Sequence, residues 1–504
     1  MKKITLTLVL FLGALSIWAD DSGTCGEKLT WTFSESTGTL TISGSGEMDD
    51  YADYGDPSSP WGSYKSKIKK IVIKEGVSSI GNNAFANCSE LTEVCISEGV
   101  IFIGNGAFYQ CIRLESVDIP NSVIKINGSA FLYCDQLKEI SLGENLTEAK
   151  SAFNTCHRLK KITFHCKKIG NWFDYDYKSN ISEVIIEQGV DTIAQGAFSS
   201  FTGLTSIEIP SSLKSIEKNA FRGCTSLNSV HIADLEAWCK ISFASIESNP
   251  LHYAHNLFMD GKEIINLVIP DGIITIGNYA FENCTSLASI EISNGVTSIG
   301  RSAFQGCTGL TSIDISKSVT SIADATFSGC TSLTTFVIPN SVTSIGGSAF
   351  SGCSGLTEIH ISSFDAWCRV NGSQAFNSIG DLYPSNHYLF LDGEKIQNAV
   401  IPEDVEYIDN VVFGNTIGIE SLKVLAKRPP KVANNFASYL YETCTLYVPE
   451  GSENAYYVAD GWKNFKKIET IKEEQPEKVP QDINGDGIVD TQDVLEIYKY
   501  IQEH

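Results

Sequence analysis

Apolar residues return along most of this chain with a period near 23, not in the 3.6- or 2-residue rhythm of an isolated helix or strand. In the segment LTTFVIPNSVTSIGGSAFSGCSG they fall at offsets 0, 3, 5, 9, 12, 16, 17 and 20: Leu333, Phe336, Ile338, Val342, Ile345, Ala349, Phe350 and Cys353. The segment at Leu287 repeats the set with Leu287, Ile290, Ile292, Val296, Ile299, Ala303, Phe304 and Cys307. Units of this kind start at Ile68, Leu91, Leu114, Leu137, Leu159, Ile181, Leu204, Leu227, Ile264, Leu287, Leu310, Leu333, Leu356 and Ile396. Most steps are 22 or 23 residues; two are 37 and 40.

The offsets predict local structure. Offsets 3 and 5 alternate, as a short half-buried strand requires, and Pro210, Pro270, Pro339 and Pro402 close that strand at offset 6. Glycine after the offset-12 isoleucine (Gly81, Gly104, Gly277, Gly300, Gly346) marks a corner. One unit cannot enclose its own apolar side chains, so coils must stack and bury equivalent residues against one another. The pattern predicts a mainly β repeat solenoid over 68–418 with one short parallel strand per 23-residue coil and two longer units at 227–263 and 356–395. Offsets 2 and 4 of the strand then line one outward face. Asp118, Glu208, Glu291, Asp314 and His360 are the partner-binding candidates on it, and their acidity favours a basic or hydroxyl-rich ligand. Two units depart from the pattern. That at Leu159 lacks the Ala-Phe pair, and that at Ile181 has Phe201 in the cysteine place; local irregularity is expected there.

The flanks read differently. Lys2 and Lys3 followed by the apolar run Ile4 to Ile17 and by Ala19 have the layout of a signal peptide over 1–19, so a secreted, extracellular or bacterial cell-surface location is expected. The run is too short to span a bilayer. Within 25–67, Trp31, Phe33, Leu40 and Ile42 alternate around Glu35-Ser36-Thr37-Gly38, a β-hairpin covering the first coil. Residues 419–470 leave the repeat, and TLYVPEGSENAYYVADGWKNF reads as strand, turn and short aromatic helix, a second cap.

These repeats resemble the BspA-like leucine-rich repeat family of bacterial surface proteins, from the hairpin through the repeats to the closing cap. The resemblance implies a leucine-rich type solenoid, and a role in adhesion or in binding an extracellular protein or glycan.

Fifteen cysteines in an exported chain ordinarily suggest disulfides. Nine of them (Cys88, Cys111, Cys134, Cys156, Cys224, Cys284, Cys307, Cys330 and Cys353) share the offset-20 place (offset 19 for Cys156, in a 22-residue unit) and point inward in parallel, an arrangement poorly aimed for S–S bonds. They are expected to be buried free thiols, as are Cys239 and Cys368, which align with the offset-12 isoleucine. His252 and His255 have H-x-x-H spacing, but the other long unit aligns Pro384 and His387 with them, so they are not read as a ligand set. A net charge of −23 argues against nucleic acid or an anionic membrane as partner. No nucleophile elbow, P-loop, HExxH or protease signature is present, which points to a non-catalytic protein.

One motif carries specific chemistry. After the linker 471–481 the sequence reads DINGDGIVDTQDVLEIYKYIQEH. Asp482, Asn484 and Asp486 take positions 1, 3 and 5 of a 12-residue loop, Gly487 the turn, Ile488 (by its carbonyl) position 7, Asp490 position 9 and Asp493 position 12. Hard oxygen ligands at those intervals wrap Ca²⁺. Aspartate at position 12, with a helix only after the loop, resembles a single (half) dockerin type I repeat, making 482–504 a small helical dockerin-like calcium module. That resemblance implies a cohesin module as a further partner, contacted through Thr491, Gln492, Tyr498 and Lys499. It also raises an alternative role: a non-catalytic accessory subunit of a cellulosome-like, polysaccharide-degrading complex.

Overall fold

The computed structural model describes residues 21–52, 58–173, 175–372, 386–433 and 435–472. The signal peptide expected over 1–19 and the calcium loop at 482–504 lie outside the described residues. The chain divides into two compact units, Met1–His360 with Gly372–Ser385, and Ile361–Asn371 with Asn386–His504.

In the first unit most regular coils contain two strands, not the one expected; in the coil starting at Leu137 the second is reduced to a single bridge, Lys125 to Glu148. The four-residue strand Ser289–Ile292 pairs in parallel with Asn266–Ile269 before it and Ser312–Asp314 after it. The two-residue strand Ser298–Ile299 pairs likewise with Thr275–Ile276 and Ser321–Ile322. The second ladder escapes sequence reading because two residues are too few to show alternation. A third side consists of turns, and it too is hydrogen-bonded from coil to coil. Phe281 N–H donates to the Ala303 carbonyl (2.8 Å), Phe304 N–H to Thr326 (2.9 Å) and Phe327 N–H to Ala349 (2.8 Å). These turns put offsets 15 and 19 in the left-handed region, as at Ser302 (φ 52°) and Gly306 (φ 74°). The glycine and asparagine recurring at offset 19 answer that requirement.

Inward side chains stack on their equivalents. The rings of Phe281, Phe304, Phe327 and Phe350 form a pile with centroids 5.3, 5.7 and 5.7 Å apart and interplanar angles of 3°, 2° and 18°. Beside it runs the cysteine ladder. The thiols of Cys307, Cys330 and Cys353 donate to the carbonyls of Phe281, Phe304 and Phe327 in the preceding coil, at 3.2, 3.3 and 3.0 Å. Cysteine therefore fills a small apolar space and also supplies a weak donor to an inward carbonyl. All fifteen cysteines carry free thiols and only Cys95 is exposed. Burial pushes thiols such as Cys88 and Cys353 up to about 12. Thiol titration of the native protein should accordingly find one fast-reacting cysteine, and denaturation should release all fifteen. A shortfall in the denatured sample would mean disulfides.

The two irregular units keep the aromatic pile by other means. Phe173 stacks on Phe153 (5.8 Å, 22°), restoring the place left by the missing Ala-Phe pair. Phe201, in the cysteine place, meets both Phe173 and Phe198 edge to face.

The first long unit inserts a helix, Leu235–Cys239, N-capped by Asp234 (2.6 Å to Ala237 N), and a hairpin, Leu257–Met259 with Lys262–Glu263. Phe243, not Cys239, faces Ile216 in the short-strand ladder; Cys239 is buried at the end of the helix. Trp238 donates its indole N–H to the Ala280 carbonyl (2.9 Å), and Trp61 does the same to Ala84 (2.9 Å). Those carbonyls stand at offset 16, which in regular coils accepts the backbone N–H of the preceding phenylalanine. A tryptophan thus stands in where the coil geometry is broken.

At the N-terminal end, Asp21–Gly26, Leu29–Ser34 and Thr39–Gly44 form an antiparallel meander, with Trp31 opposite Ile42 and Phe33 opposite Leu40. Thr39–Gly44 then pairs in parallel with Lys70–Ile73. In the second unit, Asn398–Ile401, Ser421–Val424, Thr445–Val448 and Lys467–Thr470 form a parallel sheet in chain order. The ladder therefore continues through residues where the apolar pattern has lapsed. Glu453–Val458 is a short helix, and Trp462 packs edge to face on Phe436 at 4.9 Å and on Tyr456 at 5.3 Å.

Candidate functional site

The four-residue strands present two outward rows because each strand turns alternate side chains away from the core. Asp118, Glu208, Glu291 and Asp314 are all exposed at offset 4, and His360 is half-buried. The parallel register sets Glu291 directly beside Asp314 and Glu208 beside His231. Asp118 lies opposite Ser141 on another part of the ladder. His360 hydrogen-bonds Glu358 at 3.1 Å. Sequence reasoning missed His231, although it stands at offset 4 of its own unit. Its ring stacks on Phe258 of the inserted hairpin (4.9 Å, 19°). That aromatic neighbour could not be foreseen, since the insertion breaks the count.

The outward acids fall into two classes. Near the first coils they are matched across adjacent strands: Lys70 with Glu93 at 2.6 Å, Lys138 with Glu115 at 3.0 Å, and Lys161 with Glu183 at 3.2 Å. Exposed pairs of this kind add up to about 1 kcal/mol each. Asp118, Glu208, Glu291 and Asp314 have no cationic partner among the described residues, so their charge is directed to solvent.

The histidines of the first long unit serve structure. His252 Nδ1 lies 3.2 Å from Oε1 of Glu282, a side chain only 1% exposed, and His255 Nδ1 lies 3.3 Å from the Asn283 carbonyl. Burial raises the Glu282 carboxyl, opposed by its bond to His252, and that same bond raises the His252 imidazole. His387 in the second unit is buried, its imidazole pushed down to about 4, with Nε2 3.3 Å from the Thr416 hydroxyl. Among the described residues no group of three or more His, Cys, Asp or Glu could hold a metal ion. The six calcium-loop residues, and Thr491, Gln492, Tyr498 and Lys499, lie outside the described residues. No helix among the described residues is long and apolar enough to cross a membrane.

Known proteins similar to this chain include solved structures and one family. Among solved structures, a leucine rich cell surface protein from Faecalibacterium prausnitzii is 24% identical, over 75% of this chain and 96% of its own, with a TM-score of 0.33. A leucine-rich repeat protein from Bacteroides ovatus is 26% identical over 67% of this chain and 94% of its own (TM-score 0.37). The pneumococcal vaccine antigen PcpA is 16% identical over 89% of this chain and 98% of its own (TM-score 0.36). No curated protein matches. The family model described as BspA type leucine rich repeat region matches in six copies across residues 63–178, 173–250, 252–383 and 377–447. The chain belongs to the BspA type leucine-rich repeat family.

Proposed function

We propose that this chain is a secreted or cell-surface binding protein that engages an extracellular protein or glycan through the outward rows of its long-strand ladder, tethered by a calcium-binding, dockerin-like module. The observation that carries the reading is the row of unpaired carboxylates. A carboxylate that only keeps a protein soluble can sit anywhere, whereas Glu291 and Asp314 are held side by side on a continuous strand face, where mutual repulsion costs stability unless a ligand offsets it. Parallel strands stacked coil on coil make that face extended, suited to a macromolecular partner. The family membership and the likeness to a cell-surface repeat protein support a location outside the cell.

The test compares the full chain with a Glu208→Gln, Glu291→Gln, Asp314→Asn variant, each immobilised and exposed to extracellular-matrix and plant-wall extracts. A set of components retained by the first and released by the second, at unchanged circular dichroism, is expected. Equal retention would move the binding surface elsewhere. Calorimetry of the full chain with Ca²⁺, and with Mg²⁺ as control, checks the tether: heat should appear with Ca²⁺ and vanish after joint Asp482→Asn and Asp493→Asn substitution. No heat at millimolar calcium would reduce the loop to an acidic tail.

A further inference from the structure

We infer that this protein carries a site for an acidic sugar chain, in a basic cleft where the coils starting at Leu137, Leu159 and Ile181 meet; the inference rests on the extracellular binding role proposed above. The cleft has a volume of about 540 Å³, and its lining includes Lys138, Arg158, Lys160 and Lys161 with Glu139 and Glu183. Residues 22 or 23 apart in the chain become neighbours here through stacking. The amides of Lys160 and Lys161 both donate to the Lys138 carbonyl (2.9 and 3.1 Å), and those of Ser182 and Glu183 both donate to the Lys160 carbonyl (3.0 and 3.0 Å).

The charges in the cleft are not all spent internally. Lys138 pairs with Glu115 and Lys161 with Glu183. Arg158 and Lys160 are exposed and have no acidic partner among the described residues. Two unpaired cations lining one cleft repel each other, and in a chain of net charge −23 acids to neutralise them were abundant. An anion placed between them removes that repulsion and gains charge-assisted hydrogen bonds, with the guanidinium fork of Arg158 suited to a carboxylate or sulfate.

The rest of the lining narrows the class of anion. Glu139 and Glu183 are acceptors in the lining, and Asn180 and Ser182 supply neutral polar groups. Cations flanked by acceptors suit a ligand that carries anionic groups and many hydroxyl donors together. An acidic peptide offers the carboxylates but few hydroxyls. His157 also lines the cleft, its Nε2 3.8 Å from Asp135 Oδ1, but no Phe, Tyr or Trp does, so recognition would depend mainly on charge and hydroxyls instead of stacking on a large aromatic ring. A uronate carboxylate and a sulfate ester share this chemistry.

Binding of the full chain to polygalacturonate (uronate), dextran sulfate (sulfate ester), neutral dextran and polyglutamate tests the site. Retention of either or both acidic polysaccharides above neutral dextran and polyglutamate is expected, weakening with salt as screening increases. An Arg158→Gln, Lys160→Gln variant should bind about tenfold or more weakly, the effect of losing two charge-assisted contacts. Both side chains are exposed, so an unchanged circular dichroism spectrum is expected. The carboxylate-row variant described above should keep its polysaccharide affinity within about twofold. Binding of polygalacturonate or dextran sulfate by one polymer alone identifies the anionic group. Equal binding by the Arg158/Lys160 variant, preference for polyglutamate, or no binding of either acidic polysaccharide would overturn the site. Those results would leave the surface reading to stand or fall on its own retention test.

Discussion

Phe304→Ala should destabilise the middle of the solenoid by about 3–5 kcal/mol, the range for truncating a fully buried aromatic. Phe304 is 0% exposed and lies between the parallel rings of Phe281 and Phe327. Its removal takes away two stacking contacts and leaves a cavity that the neighbours cannot close. Each ring is held by a backbone whose amide is bonded to the next coil, as the Phe304 amide is to Thr326. Collapse into the hole would cost those bonds. Because a solenoid's stability is carried by nearest-neighbour interfaces, the loss should appear locally, as faster hydrogen exchange in the coils on either side, and also in the denaturant midpoint. A loss below about 1 kcal/mol, less than the burial of a phenylalanine contributes by itself, would show that offset 17 is not core.

Gly346→Ala is the second large effect expected, with a cost of about 3 kcal/mol, at the upper end for overpacking. A Cβ at Gly346 would stand 2.3 Å from the Asp324 amide nitrogen and 2.5 Å from the Ala323 carbonyl carbon. Both are backbone atoms of the preceding coil and cannot swing aside. The strain arises from coil spacing and not from conformation, since Gly346 does not adopt a positive φ. Gly347 is the built-in control. A Cβ there meets only the Asp324 side-chain oxygen, at 3.9 Å, so Gly347→Ala should change stability by less than about 0.5 kcal/mol. Equal effects at the two positions in equilibrium unfolding would refute the packing account. Gly300, where an added Cβ would stand 2.7 Å from Asn278 N, should behave as Gly346 does.

The amino-acid sequence by itself determined the coil and its inward set. Each offset is sampled more than ten times, and burial at one offset in every copy is a constraint no single segment could express. The same averaging made the outward row of Asp118, Glu208, Glu291 and Asp314 legible, along with the inward aim of the cysteines. It did not show what the thiols do there, because their partner is a carbonyl 26 residues earlier, as in Cys307 and Phe281. The second ladder depended on tertiary structure: Ser298–Ile299 is a strand only because Thr275–Ile276 and Ser321–Ile322 flank it. Phe173 and Trp238 likewise substitute for repeat groups at positions the count does not reach. The basic cleft depended on it most of all. Net charge sums residues that never meet, so −23 masks a group of cations. Lys138, Arg158 and Lys160 become one site only when stacking brings residues about one coil apart in the chain to within one strand spacing, about 4.8 Å, and at that distance local sign outweighs the total.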